Sequence, residues 1–171
     1  DDAAIIQKAG DDLISMREAT NPKVDILAYT EIPSGNRDIN FTWSGDLFTA
    51  LQYLPEGVAP EVLGFWYPEK TVAKNDFMCI TKSANAPVLA HQLINFLSDT
   101  DNAMLNREYV GYQPALESIT IDLLISTGTS PESLIDALVT PEKYDAGLAQ
   151  VSLEPAVDAL WLEQWTRFTA G

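Results

Sequence analysis

Short apolar runs alternate with helix-forming stretches along the chain. Residues 77–80 (Phe-Met-Cys-Ile) are apolar and are followed by a turn-rich segment, which favours a short buried strand over a helix. Pro87 then stands at a helix start, and apolar residues recur with helical spacing over residues 89–97. This pattern predicts a carboxylate at Asp76, a buried strand, a turn and an amphipathic helix that packs on a sheet.

The same patterns predict further strands and helices on both sides of this unit. Strands are predicted at residues 39–43 and 62–67, with a shorter one near residues 26–29. Helices are predicted from an Asp1 or Asp2 cap to Asn21, over residues 46–54 and 99–109, and from about residue 154 to the end. Shorter helical segments follow Pro131 and Pro141. Buried strands that alternate with helices indicate the α/β class.

Composition limits the classes of partner. The chain has 171 residues, of which 46% are hydrophobic, so it is long enough for one ordinary core or two unequal ones. Twenty-five acidic and ten basic residues give a net charge of −15. Such a charge repels nucleic acid and anionic membrane surfaces, and we expect neither as a partner. A cationic partner and simple solubility both remain open as explanations.

Candidate catalytic and metal-binding residues are few. Cys79 is the single cysteine and lies in the predicted strand, so a buried and inert thiol is expected. His91 is the single histidine and falls off the apolar helix face, toward solvent. One cysteine and one histidine exclude a Cys/His zinc cluster, and we expect no metal and no cofactor. No apolar run approaches the ~20 residues of a membrane span, and the chain does not begin like a secretory signal.

Several short motifs occur together in a specific order. Asp76 precedes the apolar strand, an Asn85-Ala86 turn precedes a helix reading Leu-Ile-Asn-Phe-Leu, and Gly111-Tyr112 follows about fifteen residues later. Trp43-Ser44-Gly45 lies upstream, and the last helix is rich in tryptophan. In this order the motifs resemble those of the extracellular solute-binding proteins of ABC importers, in the spermidine/putrescine-binding branch.

This resemblance implies a fold, a location and partners. The expected fold is a type II periplasmic-binding-protein fold, of which residues 1–171 would be the C-terminal portion, contributing to both lobes, with the N-terminal half absent. The implied function is capture of a small cationic or zwitterionic solute, polyamine-like or amino-acid-like, for import through a membrane permease. The implied location is periplasmic or extracellular, with a membrane anchor on the complete protein as one option. A partial receptor is also expected to self-associate through uncovered apolar surface.

The resemblance also implies a ligand site. Trp43 and Tyr112 correspond to aromatic walls, Asp76 to the acceptor of a ligand ammonium group, and Gln150 to a late polar contact. The family tends to carry an aromatic residue two positions before the acid, whereas this chain has Lys74. Two steps along an extended segment return to the same face, so Lys74 can pair with Asp76 and disfavour a long polycation such as spermidine. Alternatively, Trp43 belongs to the core and Lys74 extends into solvent.

An enzyme is the second class of function. The many acidic residues offer carboxylate pairs for an acid/base hydrolase. The chain contains no nucleophile elbow, no zinc-protease motif and no glycine-rich phosphate or dinucleotide loop. We therefore predict a binding protein rather than an enzyme.

Overall fold

A computed structural model describes residues 2–170, and 53% of them are helical while 2% lie in strands. The α-helices are α1 (Ala3–Thr20), α2 (Ala28–Glu31), α3 (Ser44–Ala50), α4 (Pro87–Leu97), α5 (Thr100–Val110), α6 (Ile121–Ser126), α7 (Pro141–Asp145) and α8 (Pro155–Thr169). Turns of 3-10 helix occur at Leu51–Tyr53, Pro60–Val62 and Glu132–Ala137. The strands are β1 (Val72–Ala73) and β2 (Leu148–Ala149). The predicted α/β, type II periplasmic-binding fold is therefore wrong for this structure.

The predicted strands account for this error. Within the described residues, the sheet consists of one parallel pair, in which Val72 aligns with Leu148 and Ala73 with Ala149. The predicted strands at residues 39–43 and 77–80 are irregular, and the one at residues 62–67 is irregular after Val62, which ends a 3-10 turn. Most of their side chains are exposed, including those of Phe41 (90%) and Phe77 (82%). Cys79 is also exposed, so the prediction of a buried thiol is wrong. A strand is stable only when its backbone pairs and one face is covered. These runs are not paired, and Leu63 is their one buried residue.

The predicted helix ends are largely confirmed, because capping depends on local sequence. Asp2 and Asp99 accept backbone N–H groups at the starts of α1 and α5. Pro87 begins α4. Asn21 and Gly111 end α1 and α5 in the left-handed conformation, with φ of 47° and 76°. The short strand predicted near residues 26–29 is wrong, since α2 begins at Ala28.

The chain divides into two compact units, and the smaller one comprises residues 2–26 and 150–170. Here α1 packs on α8, with Ile6 and Phe168 buried. Arg17 donates to the Phe168 carbonyl oxygen at 2.5 Å, and Arg167 pairs with Asp11 at 2.9 Å. The two tryptophans of α8, Trp161 and Trp165, are 40% and 46% exposed.

The larger unit comprises residues 27–149 and has its own core. The buried apolar side chains come from α3, α5, α6 and the segments around them: Phe48, Ala50, Leu63, Ala103, Ile119, Leu124, Leu134, Ala137 and Leu138. Helix α4 contributes no buried residue, although its apolar spacing predicted a packed face. That prediction needed a sheet to cover the helix, and the structure has no such sheet among the described residues.

Candidate ligand site

Four of the five predicted site residues lie close together in the larger unit. Trp43, Lys74, Asp76 and Tyr112 come from three separate segments of the chain, and each has a direct or electrostatic interaction with another member or with Asp46. We call these four residues together with Asp46 the Trp43 cluster. Gln150 belongs to the other compact unit and is exposed.

The first part of the cluster is the start of α3. Trp43 is the N-cap residue of this helix and has extended backbone angles, with φ of −83° and ψ of 154°. Trp43 is 49% exposed, so the core interpretation of this residue is wrong. Asp46 lies in the first helical turn, where a carboxylate is favoured by the helix dipole, and accepts a hydrogen bond from the Thr42 hydroxyl.

Two glycines position Tyr112 against α3. A Cβ atom at Gly45 would overlap the Tyr112 ring, with its Cδ1 at 2.6 Å, so the ring packs directly on the helix backbone. Gly111 has a φ of +76°, and a Cβ atom there would overlap the Gly45 carbonyl oxygen and the Thr49 side chain. The Thr49 hydroxyl also donates to the Val110 carbonyl oxygen at 2.8 Å. The contact between α3 and the end of α5 therefore requires glycine at both positions.

The Tyr112 hydroxyl donates a hydrogen bond to Asp46 Oδ1 at 3.0 Å. Burial raises the pKa of Tyr112 well above its ordinary value, and the negative charges of Asp46 and Asp76 together with this hydrogen bond raise it further. The phenol therefore remains protonated at neutral pH and keeps its role as a donor. The contribution of the Asp76 charge to this pKa shows that Asp76 lies within electrostatic reach of Tyr112.

Lys74 connects the aromatic and acidic parts of the cluster. Its Nζ atom lies 5.8 Å from the centroid of the Trp43 ring, within the range of a cation–π interaction. The same atom lies 3.9 Å from Asp76 Oδ1. The Lys74 side chain is 45% exposed and that of Asp76 is 93% exposed, so this pair lies largely in solvent.

The segment that carries Lys74 and Asp76 is held by the β1–β2 pair. The Leu148 N–H donates to the Thr71 carbonyl oxygen at 2.7 Å, and Asn75 Nδ2 donates to the Tyr144 hydroxyl at 2.8 Å. A Cβ atom at Gly147 would lie 2.6 Å from Ala73 Cβ, so the two segments approach closely. These contacts fix the strand end from which the two charged residues extend.

Asp46 is the member of the cluster that sequence reasoning missed. Its position in the sequence, three residues after Trp43, indicates only a helix start. An acid in the first turn of a helix usually has the capping role, so nothing local distinguishes it as a ligand group. Its link to Tyr112 spans 66 residues of chain and depends on the tertiary contact between α3 and α5.

The cluster contains two carboxylates, one ammonium group and two aromatic rings, which gives it one net negative charge. Such a set can hold an ammonium group through carboxylate contacts and an aromatic face. Within residues 2–170, no group of three or more His, Cys, Asp or Glu side chains is placed to hold a metal ion. In the same residues no helix has the length and apolar character needed to cross a membrane.

Two carboxyl groups outside the cluster have shifted pKa values. A hydrogen bond from Arg167 lowers the pKa of Asp11, and hydrogen bonds from its own backbone N–H and from Thr140 lower the pKa of Glu142. A general acid at neutral pH needs a raised pKa, so neither group is a candidate for that role. The hydrolase alternative stays a prediction, and neither Asp11 nor Glu142 supplies its general acid.

Comparison of the chain with protein-family models, with curated proteins and with solved structures finds no match.

Proposed function

We propose that this chain binds a small solute with an ammonium group, most favourably a zwitterion of amino-acid size. The observation that carries the proposal is the position of the Lys74 ammonium group, 5.8 Å from the Trp43 ring centroid and 3.9 Å from Asp76 Oδ1. A cation of the chain itself thus occupies an aromatic and acidic environment that suits a ligand ammonium group. Such a group would bind beside Tyr112 and Asp46 or replace Lys74 at Trp43.

The presence of Lys74 favours a zwitterion over a polyamine. A ligand carboxylate can pair with the Lys74 ammonium group while the ligand amine contacts Asp76 or Asp46. Spermidine has no anionic group for Lys74, and its several positive charges would be repelled by it. We therefore expect amino acids to bind more tightly than spermidine or putrescine.

The exposure of the cluster limits its affinity. Asp76 is 93% exposed and the Trp43 ring is half-exposed, so each ionic or cation–π contact contributes about 1 kcal/mol or less. A few such contacts correspond to dissociation constants of about 1 mM or weaker.

Isothermal titration calorimetry on this chain tests the proposal. The ligands are glycine, alanine, putrescine and spermidine, with a neutral sugar as the ligand control. Asp76→Asn should weaken amino-acid binding about two- to fivefold, because it removes one exposed charge contact. Asp122→Asn removes an exposed acid on α6 and should leave binding unchanged.

Two results would contradict the proposed site. Submicromolar spermidine binding would show that Lys74 does not exclude polycations. Equal affinities of the Asp76→Asn and Asp122→Asn variants would remove Asp76 from the site.

The wider role that we propose is that of the substrate-binding component of an ABC importer, with a membrane permease as partner and a periplasmic or extracellular location. The order of the sequence motifs supports this role, whereas the mostly helical structure does not have the expected fold. Genes for a permease and a transport ATPase beside the coding sequence would support the importer role. Their absence would count against the importer role, whereas calorimetry would still test solute binding by itself.

A further inference from the structure

A cavity of about 160 Å³ lies beside α5, outside the Trp43 cluster. Its lining is mostly apolar, but it includes one buried cation. The residues that carry the argument are Phe48, Leu51, Arg107, Glu108, Gly111 and Thr129. A cavity of about 150 Å³ is large enough for a molecule the size of benzene.

Arg107 is the unusual member of this lining, because its side chain is only 2% exposed. One terminal nitrogen donates to the Thr129 hydroxyl at 2.8 Å, and the other donates to the Ser130 hydroxyl at 2.8 Å. The guanidinium carbon lies 5.1 Å from the centroid of the Phe48 ring. These contact partners are neutral, and the exposed Glu108 acts on the guanidinium only through space, without an ion pair.

The charge of Arg107 has no ion-pair partner among the described residues. Its Nε atom is buried and has no hydrogen-bond partner. A guanidinium group has five N–H donors, and the two hydroxyl groups use only two of them. Burial of a charge without an ion-pair partner is costly, and the planar fork of arginine donors matches a carboxylate or a phosphate group. The 25 acidic residues of the chain make the missing partner more notable.

We propose that this cavity binds a small monocarboxylate, with its carboxylate at Arg107 and its apolar body against Phe48 and Leu51. The apolar lining favours a ligand with a short hydrocarbon or aromatic body over a bare inorganic anion. The net charge of −15 disfavours multiply charged anions such as phosphate, because long-range repulsion grows with ligand charge. The site is independent of the proposed solute site, since it uses none of the residues of the Trp43 cluster.

Glu108 provides an internal test of this assignment. It is exposed, lines the cavity, and interacts electrostatically with Arg107. A ligand carboxylate must therefore bind near a like charge. Glu108→Gln removes that repulsion and should tighten binding about two- to fivefold, the usual effect of one exposed charge.

The experiment is a calorimetric titration of this chain at constant ionic strength with sodium benzoate, benzyl alcohol and sodium phosphate. Benzoate should bind saturably, whereas benzyl alcohol, which has the same ring but no charge, and phosphate should bind more weakly. Arg107→Met should abolish the preference for benzoate over benzyl alcohol. Glu117→Gln removes an exposed acid that does not line the cavity and is the matched control for Glu108→Gln.

The proposal is overturned if benzoate and benzyl alcohol bind equally, because Arg107 then plays no part. It is also overturned if phosphate binds more tightly than benzoate. If Arg107→Met does not fold, the exposed Glu108 still decides the question. Unchanged or weaker benzoate binding in Glu108→Gln, compared with Glu117→Gln, would refute a carboxylate at this position.

Discussion

Gly111→Ala is the substitution that most directly tests how the Trp43 cluster is built. Gly111 has a φ of +76°, and an added Cβ atom would lie 2.7 Å from the Thr49 backbone nitrogen and would overlap the Gly45 carbonyl oxygen. The left-handed conformation costs alanine about 1–2 kcal/mol, and forced overlap in a packed contact typically costs a further 1–3 kcal/mol, so the sum is about 2–5 kcal/mol. Tyr112 should move away from α3 as a result.

A second glycine separates the two contributions. Gly57 has a φ of +81°, but an added Cβ atom there meets nothing within 4 Å. Gly57→Ala should therefore cost only the conformational part, about 1–2 kcal/mol. Urea unfolding followed by circular dichroism measures both variants against the original chain.

The difference between the two variants is the quantity that matters. If Gly111→Ala destabilises the chain no more than Gly57→Ala, then α3 and the end of α5 are not in the close contact described. The positions of Tyr112 and Asp46 relative to Trp43 would then have to be revised as well.

Three further predictions concern the core, the tyrosine and the exposed helix. Leu134→Ala should lower the free energy of unfolding by about 2–5 kcal/mol, because the side chain is fully buried. Leu93→Ala on α4 should change it by about 0.5 kcal/mol or less, since that residue is 56% exposed, and equal losses in urea titrations would contradict the described exposure of α4. Because the pKa of Tyr112 is raised in the folded state, the protonated phenol stabilises the fold below the ordinary tyrosine value near 10, and this stabilisation is lost as the pH rises toward the folded-state pKa. Tyr112→Phe should therefore make the free energy of unfolding less sensitive to alkaline pH, and an unaltered alkaline profile would count against the buried phenol. The exposed apolar side chains of α4 predict self-association that increases with concentration, and Phe96→Ser should diminish it in light scattering. A strictly monomeric original chain would contradict self-association through α4.

The local features of the chain were predictable because they depend on a few neighbouring residues. Asp2 and Asp99 cap helices, Pro87 begins one, and Gly111 ends one, as their side chains and backbone preferences require. The acidic composition and the absence of a metal-binding motif are likewise properties of the sequence alone. Such features need no knowledge of which segments meet.

Strands and buried faces were not predictable in the same way. The run at residues 77–80 has the composition of a buried strand, yet Phe77 is 82% exposed, because no neighbouring strand pairs with it in the described structure. Helix α4 has helical apolar spacing but no buried residue. Periodicity shows which face can be buried, whereas burial also needs a partner surface that other segments must supply.

The candidate site divides along the same line. Trp43, Lys74, Asp76 and Tyr112 were named from sequence motifs, and the spacing of Lys74 and Asp76 along an extended segment predicted that they could pair. The hydrogen bond of Asp46 to Tyr112 and the burial of Arg107 without an ion-pair partner depend on contacts between segments far apart in the chain. Tertiary structure alone decided these, because a hydrogen bond or an unbalanced charge exists only once distant residues have been brought together and water has been removed from around them.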